Sequence, residues 1–241
     1  MNTEQVGLLQ SVISGAKNAV FFGGAGVSTE SGIPDFRSVD GLYHLRYDVP
    51  PEQILSHSYF IRHTEKFFDF YRDKMLYLDA KPNHAHLKLA ELEKSGILSA
   101  VVTQNIDGLH QLAGSRNVYE LHGSVHRNYC TKCGKSFSAD FILKSKNVPH
   151  CDCGGIVKPD VLLYEESLPD KTVQQAVQAI GQADVLIIGG TSLNVYPANS
   201  FIRFFNGNHI VIINREPTSS DSMAELCIRD NIAEVLDAIS L

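Results

Sequence analysis

The chain has 241 residues, enough for one large α/β domain with a small inserted module. It carries 21 basic and 27 acidic residues, a formal net charge of −6, so charge gives it no long-range attraction to nucleic acid or anionic lipid. An acidic chain suits a cationic partner such as a lysine-bearing peptide, although −6 is too small to establish one. No apolar run approaches the length of a membrane span. The opening sequence, MNTEQVGLLQ, has no basic region followed by an apolar stretch, so we expect no signal peptide.

Helical and strand patterns alternate along the chain. Hydrophobic periodicity predicts helices at 3–16, 52–76, 83–95, 170–182, 197–205 and 231–239. Short apolar runs predict strands at 19–22, 98–103, 183–188 and 209–213. Asn83 is expected to cap its helix and Gly96 to end it. This alternation predicts a Rossmann-like, doubly wound parallel sheet. The stretch 126–156 breaks the rhythm, since it is short, polar and cysteine-rich, and we interpret it as an inserted module.

The first predicted strand runs directly into a glycine turn, Gly23-Gly24-Ala25-Gly26. Glycines let the backbone approach a pyrophosphate, and the helix start that follows can direct N–H groups at it. Thr29 stands where a dehydrogenase fingerprint has its third glycine, and no clear acidic residue follows about 20 residues later to hold a ribose. The turn therefore differs from a hydride-transfer site. Taken alone, it is equally consistent with a turn that serves only packing.

Further polar segments follow the other predicted strands. Residues 31–37, SGIPDFR, come just after the turn and place a Phe and an Arg in a loop that could close over a ligand. Residues 189–192, GGTS, follow one strand and residues 214–216, NRE, follow another. Because ligands of such sheets lie outside the carboxyl ends of the strands, these segments favour a nucleotide site over a packing turn.

The strand at 98–103 leads into Gln104-Asn105-Ile106-Asp107-Gly108-Leu109-His110, and His122-Gly123 lies further along the chain. A histidine at a strand end is a candidate general base because its ordinary pKa lies near neutrality. A lone histidine is nevertheless more often structural, and the chain has ten. Asn105 and Asp107 are likewise common turn formers. Their expected position on the same sheet edge as the glycine turn favours a functional reading.

Together these blocks resemble the signature blocks of the sirtuins. The resemblance rests on residues 24–28 (GAGVS), 32–37 (GIPDFR), 103–110 (TQNIDGLH), 121–123 (LHG) and 190–193 (GTSL), which occur in the family's order. With the cysteine module they cover the chain from about 20 to 235 and are most similar to the small bacterial sirtuins. The resemblance implies an NAD-dependent protein lysine deacetylase whose partners are acetyl-lysine-bearing proteins or peptides.

The resemblance also implies a mechanism and a set of site residues. The acyl oxygen of the substrate would attack C1′ of the nicotinamide ribose, nicotinamide would leave, and water would release lysine and O-acetyl-ADP-ribose. His122 would be the general base, Asn105 would order the ribose and a water, and Asp107, Ile106 and Phe36 would hold the nicotinamide. The rest of NAD would be held by the following residues: Ala25, Thr29, Arg37, Gln104, Thr191, Ser192, Asn214 and, bordering the adenine, Ile232.

Four of the five cysteines form two close pairs. Cys130 and Cys133 are separated by 17 residues from the pair Cys151 and Cys153, a pattern typical of Zn²⁺ bound by four thiolates in a closed structural site. The second pair is a CxC, which is tighter than the common CxxC. Reduced, unpaired cysteines are the alternative, and His150 could replace one ligand. An odd cysteine number without an export signal predicts a reducing, cytoplasmic location.

The resemblance also predicts a lobe division and a peptide groove. We expect a single catalytic domain over residues 1–241, with a large lobe at about 1–40, 80–125 and 157–241. A small lobe would comprise a helical insertion at about 41–79 and the zinc module at about 126–156. The peptide would lie between residues 157–164 and 192–196, next to Glu165, which replaces the family's glycine. Phe68 and Tyr71 would make the acyl pocket apolar, whereas a shift of the alignment by one residue would bring Arg72 into it.

Two other functions remain open from the sequence. A mono-ADP-ribosyltransferase would also begin by displacing nicotinamide, and it would leave ADP-ribose on protein instead of on a released acyl group. A non-catalytic sensor of NAD or acyl-lysine is disfavoured because His122, Asn105 and Asp107 are all present. The sequence does not fix the oligomeric state.

Overall fold

The computed structural model describes residues 2–36 and 48–241. The helices are α1 (Thr3–Gly15), α2 (Pro51–Ile54), α3 (His57–Arg62), α4 (Thr64–Lys74), α5 (His84–Lys94), α6 (Leu109–Ala113), α7 (Ala139–Lys144), α8 (Asp170–Gln182) and α9 (Ile232–Asp237). The strands are β1 (Ala19–Gly23), β2 (Leu98–Thr103), β3 (Val118–Glu120), β4 (Gly123–Cys130), β5 (Ser136–Phe137), β6 (Val157–Val161), β7 (Val185–Gly189), β8 (His209–Ile213) and β9 (Leu226–Ile228). Short 3₁₀ helices occupy Ala25–Val27, Thr29–Ser31, Ala198–Phe204 and Asp221–Met223.

Six strands form one parallel sheet in the order β3-β2-β1-β7-β8-β9. From β1 the chain adds β2 and β3 on one side of the sheet, and from β7 it adds β8 and β9 on the other side. This order confirms the doubly wound sheet and makes the boundary between β1 and β7 its switch point. Ligands of such sheets bind at the carboxyl ends of the two strands at that point. β1 ends at Gly23 and β7 at Gly189, and these two residues are paired in register.

The sheet is covered on both faces by apolar side chains. On one face, Leu9 of α1, Leu89 of α5 and Leu236 of α9 are fully buried in one cluster. On the other face, Ile180 of α8 and Phe201 pack in a second cluster. All residues of β1 and β7 are buried, because strands covered on both sides can carry apolar residues without alternation. Among the described residues, no helix combines the length and apolarity that crossing a membrane requires.

The predicted helix 52–76 is wrong as a single element, because the chain there forms α2, α3 and α4. The first break lies at Leu55 and Ser56. Ser56 accepts a hydrogen bond from the Tyr59 amide and so starts a new helix. The backbone of Leu55 and His57 pairs instead with Tyr164. The segment predicted as a helix at 197–205 is a 3₁₀ helix, and β3 and β9 were not predicted at all.

A second, three-stranded sheet has the order β5-β4-β6, with antiparallel pairing. It packs with α2, α3 and α4 in an apolar cluster of its own that contains Phe67, Phe68 and Tyr71. Phe67 makes edge contacts with Phe68 at a centroid distance of 5.3 Å and stacks on Tyr71 at 5.6 Å. The cysteine pairs lie at the end of β4 and in the loop before β6, so this sheet carries the inserted module.

Candidate functional site

The turns that follow β1 and β7 are locked together by close backbone contacts. The Gly26 amide donates to the Gly190 carbonyl at 2.8 Å. A Cβ on Gly26 would lie 2.9 Å from the Gly190 Cα, and Gly190 has a φ of +58°. Both positions therefore require glycine, one for space and one for backbone conformation. The packing alternative explains these glycines, but it does not explain the polar groups that surround the turn.

The loop after β2 is connected to the glycine turn through one hydroxyl. Ser28 Oγ donates to Asp107 Oδ2 at 2.7 Å and accepts from Asn105 Nδ2 at 3.0 Å. The other carboxylate oxygen of Asp107 accepts from the Leu109 amide at 2.9 Å. Asn105 is buried. These bonds hold the side chains of Asn105 and Asp107 in fixed positions. Residues that served only to form a turn would not need such bonds.

His122 lies between β3 and β4, and its ring is oriented by the same loop. Its Nδ1 is 2.9 Å from the Gln104 carbonyl oxygen, and because a carbonyl only accepts, Nδ1 must carry the proton. Burial lowers the pKa of His122, an effect that the hydrogen bond to Gln104 partly offsets. The ring is therefore neutral at pH 7, with Nε2 free of a proton. This is the form that a general base needs.

A Cβ on Gly123 would lie 1.9 Å from the Asp160 carbonyl oxygen, so glycine is required where β4 begins against β6. A cavity beside His122 is lined by the loops that follow β1 and β2 and by residues of β4 and β6. Its lining includes seven of the predicted site residues: Ala25, Phe36, Gln104, Asn105, Ile106, Asp107 and His122. Residues 161–166 form one further wall, and residues 195–197 form another. Tyr164 and Tyr196 are exposed on these two walls, at 42% and 82%.

The remaining predicted NAD-site residues lie along the carboxyl edge of the large sheet. Thr191 follows β7 and accepts from Gln104 Nε2 at 3.1 Å, and Ser192 is its neighbour. Thr29 donates to the Gly26 carbonyl at 3.1 Å. Asn214 follows β8 and donates to the Glu216 carbonyl at 2.7 Å.

Ile232 and Arg37 differ from the other predicted NAD-site residues. The Ile232 side chain is buried against β7, because a Cβ on Gly189 would lie 2.1 Å from Ile232 Cδ1, so only its backbone can border a ligand. Arg37 lies outside the described residues.

Phe68 and Tyr71, which we expected to line an acyl pocket, are fully buried in the aromatic cluster and are not part of the cavity lining. The end of α4 and the residues just after it, Lys74, Met75 and Tyr77, line the cavity instead. The periodicity of the segment predicted a helix but not the direction in which each side chain points.

Ser28 and His126 were not predicted as site residues. His126 Nε2 donates to the Asp107 carbonyl at 2.9 Å, and its ring packs on Gly108, where a Cβ would lie 2.8 Å from His126 Cδ2. Ser28 could have been found as the hydroxyl in the glycine turn, whereas nothing in the local sequence marks His126.

The four predicted metal ligands are brought together. The Sγ atoms of Cys130, Cys133, Cys151 and Cys153 all lie within 4.8 Å of one another. Cys130 and Cys153 are 3.4 Å apart, and Cys133 and Cys151 are 3.7 Å apart. These separations are far beyond a disulfide bond and close to the roughly 3.8 Å edge of a tetrahedron with Zn–S bonds of about 2.3 Å.

The module's backbone fits this purpose. The Lys132 amide donates to Cys130 Sγ at 3.4 Å, and a Cβ on Gly155 would lie 2.6 Å from that sulfur. Four thiolates with no open position fit a structural Zn²⁺ site. His150 is not part of the cluster.

A doubly wound sheet with an interlocked glycine turn and a neutral histidine facing the same cavity defines a nucleotide-binding α/β protein. The Sir2 family model matches residues 24–197, and the chain therefore belongs to the Sir2 family. It is 57% identical to the NAD-dependent protein deacetylase of Clostridium acetobutylicum over 240 residues, which is 98% of each chain.

Solved structures agree with this assignment. The chain is similar to a histidine-to-alanine variant of Sir2 in a structure with a deacetylated p53 peptide and 3′-O-acetyl-ADP-ribose, with a TM-score of 0.90 and 36% identity. That match covers 97% of this chain and 96% of the other. It is also similar to a Sir2 homologue in complex with NAD, with a TM-score of 0.88, 39% identity and coverage of 96% and 91%.

Proposed function

We propose that the chain is an NAD-dependent protein lysine deacetylase that transfers the acetyl group of lysine to ADP-ribose. The observation that carries the proposal is the position of a neutral His122 in one cavity with Ala25, Asn105 and Asp107. NAD supplies a glycosidic bond to nicotinamide that can be broken, and an ADP-ribose that accepts the acyl group. The products are nicotinamide, O-acetyl-ADP-ribose and the deacetylated lysine.

His122 is the general base of this reaction. Its Nδ1–H is engaged with the Gln104 carbonyl, so Nε2 is the atom that takes a proton from a ribose hydroxyl. A pKa below the ordinary value keeps Nε2 available at neutral pH. Removing the ring leaves the binding residues in place but takes away the proton acceptor.

Asn105 and Asp107 orient the reacting end of NAD. Ser28 holds both side chains, so their remaining polar atoms point in fixed directions. Ile106 and Phe36 supply apolar surface for the nicotinamide ring, and both line the cavity. Holding reacting groups in place in this way can account for a large share of rate enhancement.

The rest of NAD follows the carboxyl edge of the sheet. The residues assigned to it are Ala25, Thr29, Arg37, Gln104, Thr191, Ser192, Asn214 and the backbone at Ile232. Support comes from the position of the interlocked turns after β1 and β7, because they lie at the carboxyl ends of the strands at the switch point, where ligands of such sheets bind. Arg37 is assigned from the sequence motif alone.

The acetyl-lysine peptide binds as an extended strand between residues 157–164 and 192–196, next to Glu165. Residues 161–164 and 195–196 of these segments line the cavity, and Tyr164 and Tyr196 are exposed there. Pairing through backbone groups gives affinity with little demand on sequence. Protein partners are therefore acetyl-lysine-bearing, and the net charge of −6 supports our proposal that nucleic acid is not bound directly.

The cysteine cluster holds a structural Zn²⁺ through Cys130, Cys133, Cys151 and Cys153, and four thiolates support a cytoplasmic location. We retain the division into a large lobe at about 1–40, 80–125 and 157–241 and a small lobe at about 41–79 and 126–156. The separate three-stranded sheet and its own apolar cluster support a second lobe.

The proposal is tested by incubating the protein with NAD and a panel of acetyl-, propionyl-, succinyl- and long-chain acyl-lysine peptides, followed by mass spectrometry. We expect deacetylated peptide, nicotinamide and O-acetyl-ADP-ribose in equal amounts. ADP-ribose attached to protein, with no released O-acetyl-ADP-ribose, would instead identify an ADP-ribosyltransferase. Binding of NAD without any turnover would identify a sensor.

A further inference from the structure

One wall of the cavity contains a glutamate in a backbone conformation that favours glycine. Glu165 has a φ of +76°, and only one other non-glycine residue in the described chain, Leu193, has a positive φ. The left-handed region is unfavourable for a residue with a Cβ. Glu165 lines the cavity and is exposed. A side chain at this position therefore carries a conformational cost that a glycine would not.

The Glu165 carboxylate is hydrogen-bonded but not neutralised. Oε2 accepts from the Ser58 amide at 2.8 Å, and Oε1 accepts from the Ser58 hydroxyl at 2.9 Å. Both donors are uncharged. In the part of the chain that the structure describes, no lysine, arginine or histidine forms an ion pair with it. Its position is therefore fixed by Ser58 while its charge remains.

The neighbouring acid behaves differently. Glu166 Oε1 is 2.9 Å from His57 Nδ1, and Glu166 Oε2 is 3.3 Å from Lys158 Nζ. Burial would raise the pKa of Glu166, but the Leu163 amide, His57 and Lys158 outweigh it and hold the pKa below its ordinary value. Of the two adjacent acids on this wall, Glu166 is paired with Lys158 and hydrogen-bonded to His57, and Glu165 contacts neither.

The other charges around the cavity are also accounted for. Lys74 Nζ lies 3.0 Å from Asp73 Oδ2. Both carboxylate oxygens of Asp107 accept hydrogen bonds from the site itself. The wall formed by residues 195–197 consists of Val, Tyr and Pro and carries no charge. Within the described lining, Glu165 is thus an uncompensated negative charge on the wall that faces the proposed peptide.

We propose that Glu165 is a specificity-determining residue that favours acetyl-lysine peptides with lysine or arginine beside the acylated lysine. The inference rests on the proposed function, because it takes the peptide to lie along residues 157–164, next to Glu165. Exposed ion pairs are weak, so the expected preference for a basic over an acidic peptide is about two- to fivefold in KM. It should diminish at high salt, because the Debye length shrinks to about 3 Å at 1 M.

The experiment compares wild type, Glu165→Gln and Glu165→Lys on three peptides that differ only in the residues flanking acetyl-lysine, which are lysine, glutamine or glutamate. Glutamine keeps an oxygen for the Ser58 amide and removes the charge. KM and kcat are measured at low and high salt, and binding of fluorescently labelled peptides is measured in parallel. Glu4→Gln, an exposed charge change on α1 outside the cavity, is the matched control.

We expect wild type and Glu4→Gln to prefer the lysine-flanked peptide, Glu165→Gln to lose the preference and Glu165→Lys to reverse it. Equal changes for all three peptides would overturn the proposal and leave Glu165 with a structural role in its loop. A wild-type preference for the lysine-flanked peptide that high salt does not diminish would also overturn the proposal. This second test uses only the wild-type protein, so it does not depend on whether the variants fold. Charge-dependent binding without turnover would support the inference while rejecting the deacetylase.

Discussion

The six-stranded sheet and the cysteine module are held together by different forces. In the sheet, all residues of β1 and β7 are buried, and apolar clusters cover both faces. In the three-stranded sheet that carries the module, β6 alternates between buried and half-buried residues, and β5 has only two residues. Apolar burial stabilises a sheet without any ligand, whereas a small module with little core depends on its metal. The cavity is lined by Val125 and Val161 of the three-stranded sheet and by none of residues 126–156, so the metal site can be perturbed without changing the cavity lining.

Loss of the metal gives the largest expected effect. Cys133→Ser removes one thiolate from a site whose metal-binding free energy is on the order of 10 kcal/mol in comparable modules. We expect the zinc content to fall from about one per chain towards zero. Amide hydrogen exchange should accelerate in residues 126–156, while the amides of β7 stay protected.

Cys227→Ser is the matched control, because Cys227 lies outside the cluster and should leave the zinc content unchanged. Equal acceleration of exchange in the sheet and in the module would show that the two regions unfold together. Retention of zinc by Cys133→Ser would contradict the four-thiolate site.

Substitution of His122 tests whether the site can lose its activity while both sheets stay folded. His122→Ala should lower kcat by about 10²- to 10⁴-fold, the usual contribution of a positioned general base. NAD binding, the zinc content and the thermal midpoint should change little, since the ring makes a single hydrogen bond within the described residues, to the Gln104 carbonyl. His84→Ala, a change at an exposed helical histidine, should retain full activity. If His122→Ala kept more than a tenth of the wild-type rate, His122 would not be the base.

The parts of the fold that the sequence predicts well are those specified by neighbouring residues. Asn83 caps α5 by accepting from the Ala85 amide at 2.9 Å, and Gly96 ends it with a φ of +83°. The strand before Gly23 is a continuous apolar run and is buried throughout. The cysteine spacing likewise specified a cluster, because four thiolates in one short module have few other arrangements.

The parts that could not be predicted depend on residues far apart in the chain. Ser28 meets Asp107 across 79 residues, and no local pattern indicates that contact. β3 and β9 have three residues each and are strands only because β2 and β8 pair with them. The helix break at Ser56 depends on a bridge to Tyr164, more than a hundred residues later.

A buried histidine pair makes the large sheet region sensitive to acid. Burial lowers the pKa of His86 to about 4, partly opposed by Asp107, and burial together with His86 lowers the pKa of His110 to about 3. Their ring centroids are 4.7 Å apart. Below pH 6.5 the unfolded chain binds protons at both groups while the folded chain does not. Stability is therefore lost as pH falls from about 6.5 towards 4, by up to about 1.4 kcal/mol per group and pH unit.

Urea unfolding at pH 7.5, 6 and 5 measures this loss. His110→Phe should flatten the pH dependence, because neither ring nitrogen of His110 has a hydrogen-bond partner among the described residues and a phenyl ring cannot be protonated. The exposed His84 provides the control variant His84→Gln, which should keep the wild-type slope. An identical pH dependence in wild type and His110→Phe would show that the buried pair does not set it.

The smallest effect is expected from a substitution at Tyr71 that stabilises the apolar cluster packed against the three-stranded sheet. Tyr71 is fully buried, its hydroxyl has no partner among the described residues, and burial raises its pKa above the ordinary value. A buried hydroxyl without a partner costs free energy, so Tyr71→Phe should raise the free energy of unfolding by up to about 1 kcal/mol. Tyr196→Phe, at an exposed position, should leave stability unchanged. Exchange in α4 should slow while exchange in β7 stays the same, because the two belong to different clusters. A loss of stability in Tyr71→Phe would mean that the hydroxyl has a partner in the folded protein, and that this cluster is stabilised by polar contacts as well as by apolar burial.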